Sequence, residues 1–373
     1  MADNAAGDID SAQFDFDHPT VRGDIESVHA SSVPWELLKG KTVLISGAAG
    51  MLPAALVDAL MVARAGPRKL DVRIIALVRS AEQAKSRFHH WLRDDGFSLL
   101  AQDVTQSLPH DLTPQLIIHA ASPASPKFYR PDPVGTMLPN VVGTLNLLNL
   151  ARQARTERFL FFSSAEVYGL FRDPPAAIDE TSYGSLDPND NRSCYAESKR
   201  MGEALCSAYA LQYGVAATIV RPFHTYGPGM KLNDGRVFAD FIRDVVTGQE
   251  ITLKGDGKDQ RSFCYLSDAT EAFLHILLRG RPGQAYNIGN PSGSISIGDL
   301  AHLLAGLFSK RPPQIGQASS FAVGGSAPAM FAATCPDIAK VKAVGWSPTI
   351  GLAEGFRRTI EYYLAIAAKQ AGS

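Results

Sequence analysis

Short apolar segments alternate with segments of helical periodicity through the first 220 residues of the chain. The apolar segments predict buried strands, and they span residues 41–46, 72–78, 97–104, 116–122, 158–164 and 217–222. The predicted helices between them include residues 54–61, 140–148 and 195–213. Strands that alternate with helices are typical of a parallel sheet covered on both faces. We therefore predict an α/β protein with a Rossmann-type, doubly wound parallel sheet.

The pattern changes on both sides of this region. Residues 1–35 are rich in Asp, Gly, Ser and His and predict a polar leader that is partly disordered, with order beginning near Trp35. Residues 36–222 form the predicted dinucleotide-binding domain with the catalytic residues. In residues 223–373 Gly and Pro recur and the helical segments shorten. This region is the expected smaller, substrate-binding α/β part, with some segments that return to the first domain.

Two segments of the C-terminal region have a character of their own. Residues 311–333 are rich in Pro, Gly, Ser and Ala and predict a loop or flap. The chain from Gly351 to about Lys369 is amphipathic and predicts a closing helix.

Composition excludes several classes of protein. The 373 residues are 45% hydrophobic and 20% charged, with a net charge of −1, so we expect a globular protein without an electrostatic footprint for nucleic acid or an anionic membrane. No apolar segment is long enough to span a bilayer, and the acidic N-terminus does not resemble a signal peptide. The four cysteines lack metal-like spacing. Reduced thiols, no metal and a cytoplasmic location follow as expectations.

A glycine turn joins the first predicted strand to the first predicted helix. Gly47 and Gly50 let the backbone bend tightly and approach a phosphate, and the helix that follows offers free N–H groups. An ordinary β–α turn with two glycines is the alternative, but the strand and helix on either side favour a dinucleotide pyrophosphate site. Pro53 stands where a third glycine is expected, and proline is tolerated in a first helical turn.

The end of the second predicted strand leaves the choice of cofactor open. An acidic residue at this place bonds the ribose hydroxyls of NAD, whereas Arg79 can face the 2′-phosphate of NADP. Asp103, at the end of the third strand, can bond the adenine amine or cap a turn. Gly47, Ala120, Ser164 and Glu166 all follow strand ends, which converge on one crevice in such a sheet. His119 is expected to be packed or supporting.

Tyr195 and Lys199 lie four residues apart in a predicted helix, so they share one face. An ammonium beside a phenol favours the phenolate, which can remove a proton from a sugar hydroxyl while a cofactor removes the hydride. The alternative is an amphipathic helix with a packed tyrosine and a solvated lysine.

Several motifs agree in order and spacing with a known family. The chain from about Lys41 to about Leu364 resembles the extended short-chain dehydrogenase/reductases, which are nucleotide-sugar epimerases, dehydratases and decarboxylases. The motifs are Gly47-Ala48-Ala49-Gly50, Ser163-Ser164-Ala165-Glu166-Val167-Tyr168-Gly169, Tyr195-Ala196-Glu197-Ser198-Lys199 and Arg221-Pro222-Phe223-His224-Thr225-Tyr226-Gly227-Pro228. Within the family, residues 119–126, 192–195, 233–237 and 261–268 look most like the UDP-glucuronate decarboxylase group.

The resemblance implies roles for individual residues. The implied catalytic residues are Ser164, Glu166, Tyr195 and Lys199, with Tyr195 as base and Lys199 as its activator. The implied NAD-binding residues are Gly47, Ala49, Gly50, Met51, Leu52, Arg79, Asp103, Val104, Ala120, Ala121, Ser122, Tyr195, Lys199 and Pro222. The implied ligands of the nucleotide sugar are Ser122, Glu166, His224, Arg236, Val237 and Arg261, where guanidinium groups suit a diphosphate.

The resemblance also implies a first step that these enzymes share, oxidation of the sugar at C4. Family dehydratases carry an Asp where Ala165 stands, and simple 4-epimerases usually lack a Glu at the position of Glu166. Decarboxylation of UDP-glucuronate therefore fits best, with 4-epimerisation or 4,6-dehydration of another nucleotide sugar as alternatives. A non-catalytic, NAD(P)-binding redox sensor is a remote alternative.

Other features bear on the substrate and the assembly. His224 stands where the family usually has Asn, and Ala196-Glu197-Ser198 stands where decarboxylases tend to have Asp-Glu-Gly, so another sugar remains open. The family also implies a homodimer in which helices near residues 132–155 and 195–213 form a four-helix bundle.

Overall fold

A computed structural model describes residues 9–173, 175–253, 255–308, 316–317 and 335–371. The strands are β1 (Thr42–Ser46), β2 (Arg73–Val78), β3 (Phe97–Ala101), β4 (Leu116–His119), β5 (Arg158–Phe162), β6 (Ala217–Pro222), β7 (His224–Tyr226), β8 (Thr252–Leu253), β9 (Gln260–Tyr265), β10 (Ala285–Ile288), β11 (Ser294–Ser296) and β12 (Gly316–Gln317). The α-helices are α1 (Pro19–Ala30), α2 (Met51–Ala65), α3 (Ala81–Arg87), α4 (Pro126–Tyr129), α5 (Pro133–Leu138), α6 (Thr144–Gln153), α7 (Cys194–Tyr213), α8 (Val237–Val246), α9 (Leu266–Arg279), α10 (Ile297–Phe308), α11 (Ala339–Lys342) and α12 (Leu352–Ala371).

Seven parallel strands form the central sheet in the order β10-β6-β5-β4-β1-β2-β3. Each of the six predicted strands is present, and β10 from the C-terminal region adds to the edge beside β6. Val43 and Ile45 face a core that includes residues of α2 and α9, while Leu44 between them faces a core built with α6 and α7. The sheet is therefore covered on both faces, and the predicted doubly wound α/β fold is confirmed.

The strand order places a topological switch point between β1 and β4. The chain runs from β1 to β2 and β3 on one side, and from β4 to β5 and β6 on the other. Crossovers therefore leave β1 and β4 toward opposite sides, and a crevice opens beyond their carboxyl ends. Among the described residues, no helix is both long enough and apolar enough to cross a bilayer.

A second, smaller sheet lies in the C-terminal region. β9 pairs in parallel with β7 and antiparallel with β11. The closing helix α12 packs against β9, α8 and α10. The predicted flap at residues 311–333 lies outside the described residues, apart from Gly316–Gln317, which pair with β8.

The N-terminal arm, residues 9–32, corrects the prediction of a partly disordered leader with order beginning near Trp35. Helix α1 begins after His18, whose ring accepts a hydrogen bond from the Thr20 N–H at 3.2 Å. Val21, Ile25 and Val28 are buried and belong to the main core, where α1 contacts α2, α9 and α12. The spacing of these three residues is helical, and it is the signal that the polar composition of the segment obscured.

The arm also reaches the C-terminal region through its first residues. The Asp10 carboxylate accepts hydrogen bonds from the backbone N–H groups of Leu232 and Asn233, at 2.7 and 2.9 Å. Asp234 and Arg236 follow in the same loop, and the Arg236 side chain forms an ion pair with Asp234 at 3.2 Å. The start of the arm therefore holds the loop that carries Arg236.

Candidate active site

A crevice of about 410 Å³ opens beyond the carboxyl ends of β1, β4, β5 and β6. It brings together most of the predicted catalytic and binding residues. Those that line it are Gly50, Met51, Leu52, Ala120, Ser122, Ser164, Glu166, Tyr195, Lys199, Pro222, His224, Arg236, Val237 and Arg261. The other predicted residues, Gly47, Ala49, Arg79, Asp103, Val104 and Ala121, do not line this crevice.

The glycine turn has the geometry that a phosphate site requires. Gly47 adopts φ +67°, and a Cβ at this position would lie 2.6 Å from the Cα of Ala121, so only glycine fits. Helix α2 begins directly after Gly50, which provides no side-chain cap for its N-terminal N–H groups. Pro53 is buried within the first turn of an intact helix. The residues present therefore fit the pyrophosphate of a dinucleotide.

Arg79 and Asp103 lie close enough for the Arg79 charge to help lower the pKa of Asp103. The larger cause of that shift is the backbone N–H of Thr105, which donates to the Asp103 carboxylate at 2.9 Å. Asp103 thus caps a turn, which is one of its two predicted roles. Val104 packs below it, and a Cβ on Gly143 would meet the Val104 side chain at 2.7 Å.

Ala49 and His119 lie outside the crevice. Ala49 lines a separate cavity on the side of α2 that faces the N-terminal arm. His119 is buried, its Nδ1 lies 2.7 Å from the Ser46 hydroxyl, and burial lowers its pKa to about 3. It is therefore a neutral packing residue, as expected.

Helix α7 places Tyr195 and Lys199 on its buried face, beside the end of β5. Lys199 Nζ donates to the carbonyl of Phe162 at 2.6 Å, and burial lowers its pKa to about 7. Burial, followed by the nearby Glu166 carboxylate, raises the pKa of Tyr195. Tyr195 and Lys199 thus share one buried face of α7, as predicted, and the activation of Tyr195 by the Lys199 ammonium stays a prediction.

Ser164 and Glu166 follow β5 in a short 3-10 helix, Ala165–Tyr168. The Ser164 hydroxyl caps this helix by accepting from the Glu166 N–H at 3.1 Å. The Glu166 carboxylate forms an ion pair with Arg192 at 3.2 Å. Burial raises the pKa of Glu166, and the Arg192 charge opposes that shift. Arg192 was not among the predicted site residues, although the motif at residues 192–195 contains it.

Two arginines and a neutral imidazole also line the crevice. Arg236 donates to the Ala124 carbonyl at 2.8 Å, and Arg261 forms an ion pair with Asp259 at 3.2 Å. Burial, together with the charges of Arg261 and Arg236, lowers the pKa of His224 to about 3. The crevice therefore presents two guanidinium groups beside a neutral imidazole, and the guanidinium charges suit an anionic ligand.

The fold and this site together define an extended short-chain dehydrogenase/reductase. Residues 43–289 match the family described as "NAD dependent epimerase/dehydratase family", and the chain belongs to that family of enzymes. The predicted cofactor, NAD, is confirmed by the description of this family.

Curated relatives within the family are decarboxylases. UDP-glucuronic acid decarboxylase 1 of Xenopus tropicalis is 34% identical over 87% of this chain and 72% of that protein. UDP-glucuronic acid decarboxylase 3 of Arabidopsis thaliana is 36% identical over 84% of this chain and 86% of that protein. The predicted resemblance to the decarboxylase group is confirmed.

Solved structures share the fold at lower identity. A UDP-glucuronic acid 4-epimerase from Bacillus cereus, in complex with UDP-glucuronic acid and NAD, aligns with a TM-score of 0.74 at 22% identity and covers 87% of this chain and 99% of that chain. A UDP-N-acetylglucosamine 4-epimerase from Methanobrevibacter ruminantium M1 gives 0.75 at 18% identity, with 88% and 99% covered.

Proposed function

We propose that the protein is a UDP-glucuronate decarboxylase that oxidises the sugar at C4. The observation that carries the proposal is the convergence of Ser164, Glu166 and Tyr195 with Arg236 and Arg261 around one crevice. A base, a hydroxyl and a carboxylate that share one crevice with two guanidinium groups match a sugar linked to a diphosphate. The names of the curated relatives support the same substrate.

The cofactor would lie between the glycine turn and helix α7. The N–H groups at the start of α2 would hold its pyrophosphate, and Tyr195 and Lys199 would contact the nicotinamide ribose. When bound, NAD supplies the acceptor of the hydride from C4 and later, in its reduced form, the hydride that completes the reaction.

Side chains of the protein would accept and return the protons of the reaction. Tyr195 accepts the proton of the C4 hydroxyl, and Ser164 bonds the same oxygen. The resulting C4 ketone is β to the C6 carboxylate, so the C5–C6 bond breaks and its electron pair passes into the ketone as carbon dioxide leaves. Glu166, held by Arg192, orients the sugar or moves the proton that returns to C5. Arg236 and Arg261 hold the diphosphate through bidentate hydrogen bonds.

Ala165 argues against the 4,6-dehydratase alternative. Ala165 occupies the place of the acid with which family dehydratases expel the C6 hydroxyl, so elimination has no proton donor there. Epimerisation uses the same C4 ketone and differs in what happens to it, so the reaction products must separate the two.

Product analysis tests the proposal directly. The purified enzyme is incubated with a panel of nucleotide sugars, and products are identified by mass spectrometry and proton NMR. We expect carbon dioxide and UDP-xylose, or its 4-keto precursor, from UDP-glucuronate. A C6 methyl signal would instead identify a dehydratase, and an inverted C4 would identify an epimerase. Bound NAD without turnover of any sugar would favour the redox sensor.

We also propose a homodimer through α5, α6 and α7, in a cytoplasmic setting. Val134, Leu138 and Leu145 are 63%, 42% and 38% exposed along the first two helices, and Met201 and Leu211 are 49% and 90% exposed on α7. These apolar side chains are suited to a helical interface. The four cysteines are free thiols, which supports a reducing compartment. Light scattering should give twice the chain mass, and Leu138→Glu should give a monomer; a monomeric wild type would contradict the dimer.

A further inference from the structure

Tyr129, at the end of α4, packs directly against the proposed catalytic base. The rings of Tyr129 and Tyr195 are stacked, with centroids 4.7 Å apart and an interplanar angle of 10°. Both residues are buried, Tyr129 completely. Together with Cys194 they form a small apolar cluster that is separate from the larger cores. The ring of Tyr129 therefore packs against Tyr195 and is not part of the main core.

Two further contacts fasten Tyr129 to the site. The Arg192 guanidinium lies over its ring, 4.7 Å from the centroid, and the same side chain forms the ion pair with Glu166. The Tyr129 carbonyl faces the Cys194 thiol at 3.5 Å, one residue before Tyr195. Tyr129 is thus braced by Arg192 and joined to the first turn of α7.

The orientation of a tyrosine ring has a chemical consequence. The lone pairs of a phenolate oxygen that accept a proton lie in the plane of the ring, and a swing of the side chain about its first torsion moves the oxygen. A stacked neighbour restricts both the plane and the swing. Displacement of a catalytic group by about 1 Å can cost roughly 100-fold in rate.

We propose that Tyr129 is a positioning residue, whose ring holds Tyr195 in the orientation that accepts the proton of the sugar hydroxyl. The proposal rests on the proposed role of Tyr195 as the base. It concerns the ring of Tyr129 and not its hydroxyl, which is buried beside the Glu166 carboxylate.

Two substitutions separate the ring from the hydroxyl. In Tyr129→Leu, which loses the flat ring, we expect kcat to fall about 10- to 100-fold while KM changes less than about threefold. The deuterium isotope effect with a C4-deuterated sugar should increase, because the oxidation step becomes more strongly rate-limiting. Tyr129→Phe keeps the ring and should remain within about threefold of the wild type. Tyr129→Met, of similar bulk, replaces Tyr129→Leu if that variant does not fold.

A stack whose two rings do not line the crevice provides the matched control. Tyr226 and Phe356 are stacked at 4.0 Å and 16° in the C-terminal region. Phe356→Leu should lower the thermal stability without changing the isotope effect or the kcat of the folded enzyme. A wild-type kcat in Tyr129→Leu would overturn the proposal, as would an equal loss in Tyr129→Phe.

A measurement without substrate separates this proposal from the proposed function. Tyrosine is labelled with ¹³C in its ring, and the Tyr195 resonance of the NAD-loaded enzyme is assigned from Tyr195→Phe. We expect Tyr129→Leu to shift that resonance and sharpen it, because the ring current is lost and ring flips become faster. An unchanged Tyr195 resonance would overturn the positioning role even if the sugar is processed. Failure of the wild type to process any nucleotide sugar would overturn the proposed function alone.

Discussion

The same three kinds of side chain meet in two buried clusters of this molecule. Beside the crevice they are Glu166, Arg192 and Tyr129, and where the N-terminal arm meets the C-terminal region they are Asp24, Arg358 and Tyr265. The Asp24 carboxylate accepts from the Tyr265 hydroxyl at 2.6 Å and from Arg358 at 3.1 Å. Burial raises the pKa of the acid in both clusters. A raised pKa therefore does not distinguish the site from the scaffold.

Hydrogen bonding does distinguish them. Both oxygens of Asp24 have protein partners, so this cluster is closed. The crevice cluster shares its cavity with Ser122, whose hydroxyl is buried without a partner in the described part of the chain. Buried polar atoms without partners are rare and require an explanation. The comparison indicates that a closed cluster holds the fold, whereas an open one has capacity left for a ligand.

Tyr195→Phe should give the largest effect on the crevice side of this comparison. Loss of the proposed base should lower kcat about 10²- to 10⁴-fold, while circular dichroism and thermal stability stay close to the wild type. Tyr183 is 76% exposed, so Tyr183→Phe is the control and should leave activity unchanged. Activity of Tyr195→Phe at the wild-type level would remove Tyr195 from the mechanism.

Asp24→Ala should give the largest effect on the closed cluster. The substitution leaves the buried Tyr265 hydroxyl unpaired, whereas Arg358 keeps its ion pair with Glu354 at 2.7 Å, so we expect about 2 kcal/mol lower free energy of unfolding. The kcat of the folded enzyme should not change. Urea denaturation measures the first quantity and steady-state kinetics the second. The exposed Asp17→Ala should change stability by less than about 0.5 kcal/mol. A specific loss of kcat would mean that the cluster under the arm is not merely structural.

Glu166→Gln tests the open cluster with a smaller change. The amide keeps the size of the side chain but neither exchanges a proton nor balances the Arg192 charge. We expect kcat to fall about tenfold, or about 1.4 kcal/mol in the barrier, with little loss of thermal stability. Glu82→Gln on the surface is the matched control. If Glu166→Gln instead lowers the thermal stability and leaves kcat at the wild-type level, the two clusters do not differ in the way described.

The smallest predicted effect is a pH dependence of stability. Burial raises the pKa of Asp24 from 3.8 to about 6, so the folded state binds its proton more tightly than the unfolded state. This contribution is fully present below pH 3.8 and is lost as the pH rises through about 6. Between pH 5 and pH 7 it amounts to about 1 kcal/mol. Asp24→Asn should reduce the pH dependence of the free energy of unfolding by that amount, and an identical dependence in both proteins would contradict the shift.

The sequence predicted those parts of the site that depend on local order. Gly47, Ser164 and Glu166 follow strand ends, and the parallel sheet alone brings such ends together. The prediction that Tyr195 and Lys199 share one face required only the helical repeat of their segment. Arg192, by contrast, meets Glu166 from a separate segment, and Tyr129 meets Tyr195 across 66 positions. Contacts of this kind depend on how α4 and α7 pack, which no local pattern expresses.

The arm was missed for a different physical reason. Its apolar residues are few and lie among acidic and polar ones, so the average composition predicts a solvated chain. Whether a helical residue is buried depends on its position on the helix and not on the average composition of the segment. Val21, Ile25 and Val28 suffice to cover one face. The lowered pKa of Lys199 was not predicted, because desolvation has no signature in the sequence, and here it outweighs the charge of Glu203 on the same helix.

The contact of Asp10 with the loop of Leu232 and Asn233 couples ligand binding in the crevice to the attachment of the arm. The loop is held by the arm on one side, and it carries Arg236 into the crevice on the other. Free energies of association at two faces of one element are reciprocal. A ligand that orders the loop through Arg236 would therefore strengthen the contact of Asp10 to the same degree, and occupancy of the crevice would protect the described start of the arm from local unfolding.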